Sequence, residues 1–237
     1  MNIQFIDLLE AVINSDAKFV NGVLEKAKSK INKIQDKSVK NVTKIVNAEF
    51  AKIKSPKFDS IEFQLAKKGN SPSARQEAVH VVQGMADNGG HIYVYVDEGI
   101  PESFITDFKY WKVFIDVVTE VISHEMVHMG QFDRIMTRYE GDPNGYVKAM
   151  NDLSNREVSD HKKYLAIPLE IMAFSRQAVE EFRSHGLNNK KIIKYLKHYS
   201  DADPNDSYIF FAYTYYFKKD EKPLKRFLKY IYDYVKE

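Results

Sequence analysis

Apolar side chains recur at intervals of three and four residues through the first part of the chain, a spacing that predicts helix. The pattern extends over residues 3–54, and Pro56 ends it. Ser15 and Asp16 form a candidate cap at which the helix begins again. The apolar positions are Phe19, Val20, Val23, Leu24, Ala27, Ile31, Ile34, Val42, Ile45, Val46, Phe50 and Ile53.

The pattern then changes to the two-residue alternation of β-structure. The sequence FDSIEFQLAKKG, residues 58–69, predicts one short strand. The runs EAVHVVQG and GHIYVYVD flank the turn-rich sequence MADNGG, and together they predict a β-hairpin. The second run alternates apolar side chains with aromatic or acidic ones: Ile92, Val94 and Val96 against Tyr93, Tyr95 and Asp97.

From Pro101 onward the spacing is again helical. It predicts a helix over residues 103–136, a polar loop with short helical pieces over 138–163, and a helix from Pro168 that Gly186 stops. Further helices are predicted over 188–198, 205–218 and 222–236. We therefore expect an α+β fold that is mostly α. Residues 1–56 would be an N-terminal helical segment, 57–136 a sheet and a long helix, and 137–237 a helical C-terminal subdomain.

The amino-acid composition excludes several classes of functional site. The 237 residues include no cysteine, which excludes disulfide frameworks, thiolate zinc sites and cysteine nucleophiles. A net charge of +2 gives no reason to expect a nucleic-acid partner. The first residues lack a basic leader, and no segment has the apolar length of a membrane span. We expect a cytoplasmic protein, and the abundance of Lys, Asn, Ile and Tyr is typical of an AT-rich genome such as that of a phage or a low-GC bacterium.

The predicted long helix contains the sequence TEVISHEMVHMGQFDR, residues 119–134. His124 and His128 are one turn apart, so their rings project from the same face and can each offer a nitrogen to one zinc ion. Glu125 follows the first histidine and can act as general base towards a zinc-bound water, as in the pattern His-Glu-x-x-His. The alternative is a helix whose histidines only pack or form hydrogen bonds.

A catalytic zinc ion usually takes three protein ligands and one water. Glu170 is the preferred third ligand, because its apolar neighbours predict burial and a buried carboxylate needs a cation. The alternative is an acid stabilised by the positive end of its helix. Arg134 stands where metzincins have a third histidine, which excludes that class. Rival ligands are Asp133, His161, Glu180 and Glu181.

HEMVH followed by PLEIMAF resembles the gluzincin metallopeptidases, zincins with two helical histidines and a glutamate on a later helix. Glu170 and Ala173 match the Glu-x-x-Ala pattern of that branch. GHIYVYVD resembles the edge strand that lies over the active-site helix and pairs with extended substrate, which implies that Tyr93 and Tyr95 bind substrate. The form HEMVHMGQ with IPLEI also resembles small phage-encoded zincins. The resemblance covers roughly residues 77–185; residues 1–75 carry no family signature.

The resemblance implies a zinc-dependent metallopeptidase with one zinc ion and a peptide or protein substrate. Two alternatives remain: a zincin-fold interaction or virion protein that binds zinc and cleaves nothing, and a regulatory protease specific for one partner. Gln131 and Glu120 are candidates for contacting the ligands, with ordinary surface roles as the alternative. Tyr208 and His185 are preferred as stabilisers of the transition state among several candidates, which also include His161, Tyr164, His198 and Tyr213.

Overall fold

The computed structural model describes residues 19–54, 58–66, 82–87, 89–97, 108–145, 147–148, 160–199 and 203–236. The chain divides into two compact units, Met1–Met129 and Gly130–Glu237. The described part is mostly helical with one small mixed sheet, which confirms the α+β, mostly α prediction at that level. No helix in the described ranges has the length and apolar content needed to cross a membrane.

Two helices stand at the start of the described chain. Helix α1 covers residues 19–31 and helix α2 covers Val39–Phe50. The expected unbroken helix therefore stops between them, and residues 1–18 lie outside the description. Asp36 explains the break, because its carboxylate accepts from the backbone of Ser38 at 2.9 Å and from the amide of Asn41 at 2.6 Å. This local bonding competes with continuation of the helix.

The sheet has three strands: β1 (Ser60–Ala66), β2 (Val82–Ala86) and β3 (His91–Asp97). The antiparallel pairing of the predicted hairpin is confirmed, since β2 pairs with β3. Strand β2 includes Met85 and Ala86, which were expected in the turn, and residues 77–81 of the expected first strand lie outside the described residues. The order is β1-β3-β2, however, with β1 parallel to β3. The expectation that GHIYVYVD forms an edge strand is therefore wrong, because β3 is the central strand and both its edges carry ladder hydrogen bonds.

The two outer strands of this sheet have different neighbours. Asn47 of α2 bonds to both backbone groups of Phe63 in β1, accepting from the N–H at 2.6 Å and donating to the carbonyl at 2.8 Å. It thus occupies the place of a neighbouring strand at that residue. Strand β2 pairs with β3 alone among the described strands. Ile92, Val94 and Val96 are buried, which confirms the predicted alternation.

The long helix α3 covers Phe108–Arg138, close to the predicted 103–136. Residues 101–107 lie outside the description. Within the first unit α3 packs against β2: a Cβ added at Gly84 would lie 2.6 Å from Cγ1 of Val121 and 2.7 Å from Cγ of Glu125. Glycine is needed here because the backbone of the strand approaches the helix too closely for any side chain.

Five further helices have both bounds within the described part of the second unit, and residues 143–145 and 147–148 are also helical. The five are α4 (His161–Leu165), α5 (Pro168–Ser184), α6 (Asn189–Lys197), α7 (Tyr208–Tyr216) and α8 (Lys222–Lys236). Gly186 follows α5 with φ of 79°, the left-handed conformation in which glycine ends helices. At the centre of the core, the rings of Tyr213 and Phe227 stack with centroids 3.8 Å apart. The core is thus built largely from α5, α7 and α8.

Candidate metal centre

Helix α3 presents its two histidines together. Both are buried, and their Nε2 atoms lie 3.2 Å apart. The ring centroids are 4.9 Å apart and the rings meet at 72°, so the two nitrogens point towards a common region rather than stacking. Two nitrogens bound to tetrahedral zinc at about 2.05 Å lie about 3.3 Å apart. The observed separation of His124 and His128 therefore suits a shared ion, and it is also the distance of a direct hydrogen bond between the two rings.

Glu170 lies in the first turn of α5 and is almost completely buried. Pro168 stands at the start of this helix, the N-cap residue Ile167 supplies no side-chain hydrogen bond, and Glu170 is the acid of the first turn. The hydroxyl of Tyr164 donates to Oε2 of Glu170 at 3.1 Å. The amide of Gln131, on the C-terminal part of α3, donates to the carbonyl of Leu169 at 3.2 Å.

His124, His128 and Glu170 form a buried group. Each offers one ligand atom, and these three atoms all lie within 4.8 Å of one another. Two imidazoles and one carboxylate are donors that suit zinc and related divalent ions. The structure thus brings together the three residues expected as ligands, and the group could hold a metal ion.

Glu125 is buried at 5% exposure beside the histidine pair in sequence. Its Oε1 lies on the side of Gly84 in β2, and its Oε2 has no hydrogen-bond partner among the described residues. A buried carboxylate oxygen without a partner is costly unless a water or ligand satisfies it. The carboxylate can therefore accept a hydrogen bond from a small molecule at this place, which suits the base predicted from the motif.

The rival ligands have other neighbours. Asp133 is exposed on α3. Glu180 pairs with Arg176 at 2.6 Å and with Arg183 at 3.1 Å. Glu181 is buried and accepts from the hydroxyl of Ser207 at 2.6 Å; burial raises its pKa, which these hydrogen bonds oppose. His161 packs its ring against Tyr216. None of the four belongs to the buried group that the described residues form.

The structure does not bring the preferred transition-state stabilisers to Glu170. His185 follows the last turn of α5, fifteen residues on, which is about 22 Å along a helix. Tyr208 follows Ser207, which bonds to Glu181, about 16 Å along α5 from Glu170. The sequence could not rank these candidates because none of them has a fixed spacing from the motif.

Tyr93 and Tyr95 project from β3 on the side opposite the buried Val94, and both are half-buried. Burial raises the pKa of both hydroxyls. The expectation that this strand holds extended substrate by backbone pairing is wrong, because its neighbours β1 and β2 use those groups. Glu120 is half-buried and lies one helical turn before His124 in α3.

Two contributors carried little or no signal in the sequence. Tyr164 precedes Glu170 by six positions across the junction between α4 and α5, a spacing that no single regular element brings into contact. Gly84 stands inside a strand, and a glycine there signals close approach of another backbone or side chain. The glycine thus indicates a close contact in the sequence, but it does not show that the contacting residues include Glu125.

The chain matches none of the protein-family models, curated proteins or solved structures with which it was compared. The resemblance to gluzincins therefore rests on the His-Glu-x-x-His motif, on the Glu-x-x-Ala pattern and on the geometry of the buried group. These local features bear on chemistry, which depends on the site rather than on the fold.

Proposed function

We propose that this protein is a zinc-dependent metallopeptidase that resembles the gluzincin branch. One observation carries the proposal: His124 and His128, which form a buried group with Glu170, share helix α3 with a buried carboxylate, that of Glu125. A site built only to bind metal needs the first three residues. The fourth has no structural partner for its Oε2 among the described residues, and hydrolysis gives it a role.

Each residue has a definite task in this proposal. His124 and His128 would supply neutral nitrogens and Glu170 one negative charge, so a divalent ion with these three ligands would keep one net positive charge. Bound zinc would polarise the scissile carbonyl and lower the pKa of water. Glu125 accepts a proton from the attacking water and returns it to the leaving amine. Tyr164 holds the carboxylate of Glu170 in one orientation.

We assign the substrate strand to β2 instead of β3. Strand β2 is the outer antiparallel strand among the described residues, and its Gly84 lies against Glu125. An extended peptide that pairs with the outer edge of β2 would pass close to the proposed base. Backbone pairing accepts many side chains, so this arrangement supports cleavage of unfolded or extended polypeptides.

A metal-removal experiment tests the proposal. Protein purified in zinc is stripped with a chelator and reloaded, and both metal content and cleavage of a peptide library are measured by mass spectrometry. We expect one zinc ion per chain and cleavage that disappears and returns with the metal. His128→Ala should abolish both, whereas His161→Ala, outside the buried group, should preserve both.

The outcomes separate the alternatives. A chain that binds no zinc would contradict the proposal as a whole. Stoichiometric zinc without cleavage of any peptide would support a zinc-binding interaction or virion protein. Zinc with cleavage of one partner protein and no library peptide would support a regulatory protease.

A further inference from the structure

Positive charge is concentrated on two helices of the second unit. Helix α6 has nine residues, including four lysines and no acid, and α8 has fifteen, including five cations and one acid. The chain as a whole has a net charge of only +2. The nine cations are Lys190, Lys191, Lys194, Lys197, Lys222, Lys225, Arg226, Lys229 and Lys236.

These cations share the solvent side of their helices. The apolar side of α8 is buried in the core through Leu224, Phe227, Ile231 and Val235. Helices α6 and α8 contact each other, and all nine cations are exposed. The acid, Asp233, is paired with Lys229 at 2.5 Å and does little to neutralise the rest. A surface of this kind attracts an anionic polymer.

An open aromatic cavity of about 370 Å³ adds a second, independent feature to the same unit. It is lined by Tyr199, Phe211, Thr214, Tyr215, Phe217, Lys218 and Lys219. Tyr199 follows α6 and the two lysines precede α8, so the cavity adjoins the ends of both basic helices. Phe211 and Tyr215 lie nearly parallel at 24°, and Tyr215 is 74% exposed.

We propose that α6, α8 and this cavity bind single-stranded nucleic acid. Such sites combine two elements: cations that contact the phosphate backbone of the nucleic acid, and exposed aromatic rings on which its bases stack. A membrane surface is a poorer fit, because the apolar side of α8 lies in the core and cannot enter lipid. The net charge of the whole chain did not indicate this surface, because acidic residues elsewhere offset its positive charge in the total. The activity is separate from the proposed peptidase and does not rest on it.

Fluorescence anisotropy with labelled 15-nucleotide oligo-dT and oligo-U tests the charge contribution. We expect saturable binding that weakens with salt, with a slope of about −0.7 per phosphate contact. Replacing Lys194 and Lys225 by glutamate should weaken binding at least about tenfold and flatten the slope. Lys40→Glu with Lys44→Glu on α2 changes the net charge equally and should leave binding unchanged.

The stacking contribution has its own test. Tyr215→Ala should weaken binding by about fivefold or more. Tyr110→Ala, which removes an exposed ring from the first unit, should have no effect. Circular dichroism checks that each variant is folded.

Three results would overturn the proposal. An abasic strand or polyglutamate could bind as tightly as the oligonucleotides, which would reveal attraction by charge alone. Vesicles containing phosphatidylserine could bind while oligonucleotides do not, which would indicate a membrane surface. Oligonucleotides could also fail to bind at 50 mM salt.

Discussion

The hydroxyl of Tyr164 donates a hydrogen bond to Oε2 of Glu170 across 3.1 Å. The tyrosine is itself fixed, because its ring packs edge-on against Phe174 and the next residue, Leu165, accepts at its carbonyl from the hydroxyl of Tyr213 at 2.8 Å. Tyr213 is completely buried in the core. The orientation of the proposed metal-binding carboxylate is therefore linked to the packing of the second unit.

Tyr164→Phe removes only the hydroxyl that orients Glu170. We expect zinc affinity to fall by about 10- to 100-fold, the effect typical of losing an outer partner of a metal ligand. Competition with a chromophoric chelator measures it. Tyr232→Phe, at an exposed position of α8, is the matched control and should leave affinity unchanged. Equal affinity in both variants would remove Tyr164 from the site.

Glu170→Gln keeps the size of the side chain and a partner for Tyr164 but removes the charge. Because the carboxylate is proposed as a direct ligand, its loss should lower zinc affinity more than Tyr164→Phe does, by over about 100-fold. Metal analysis after dialysis measures it. Glu25→Gln on the exposed face of α1 serves as control. Full metal retention in Glu170→Gln would indicate a different third ligand.

Gly84→Ala tests the contact between β2 and the proposed base. The added Cβ would lie 2.7 Å from Cγ of Glu125, so the carboxylate must move. A displacement of a catalytic group by about 1 Å can lower the rate about 100-fold. We therefore expect peptidase activity to fall by about tenfold or more while zinc is retained. Gly22→Ala in α1, where no atom lies within 4 Å, should leave activity intact and stabilise the helix slightly. Normal activity in Gly84→Ala would mean that Glu125 does not need its present position.

Alkaline pH should destabilise the protein through Tyr234. Burial raises the pKa of Tyr234 to about 12. In the unfolded chain the hydroxyl ionises near pH 10, so its contribution to stability is complete below pH 10 and is lost as the pH rises towards 12. Tyr234→Phe should reduce the slope of unfolding free energy against pH in this window by up to about 1.4 kcal/mol per pH unit. Denaturant titrations measure the slope, and an unchanged slope would contradict the assignment; Tyr232→Phe should not alter it.

The sequence predicted elements well where one periodicity dominates. The helix from Pro168 is predicted because Pro168, Gly186 and the apolar spacing agree, and the hairpin because two alternating runs flank a turn-rich sequence. The structure adds the caps Asn188 before α6 and Ser207 before α7. The prediction of a continuous helix is wrong between α1 and α2. Asp36 forms a local turn there, although the apolar pattern continues on both sides of it. The order of the strands could not be predicted from the sequence, because the alternation in GHIYVYVD identifies a strand without showing which strands flank it.

The candidate site divides in the same way. His124, Glu125 and His128 follow from spacing on one helix, and Glu170 from an acid in an apolar segment. Tyr164 could not be singled out among the candidate tyrosines and histidines, since its contact with Glu170 depends on the junction between α4 and α5. His185 and Tyr208 are preferred on residue type alone. The fold places His185 at the end of α5 opposite Glu170, and Tyr208 on α7 next to Ser207, which bonds to Glu181.

Glu125→Gln, with zinc stoichiometry and proteolysis measured side by side on the same preparations, tests the central claim most directly. Asp133→Asn makes the same acid-to-amide change at an exposed position of the same helix and is the matched control. We predict that Glu125→Gln keeps one zinc ion and loses proteolysis by about 100-fold or more, while the control retains both. Undiminished turnover in Glu125→Gln would contradict the assignment of Glu125 as the base and, with it, the proposed mechanism.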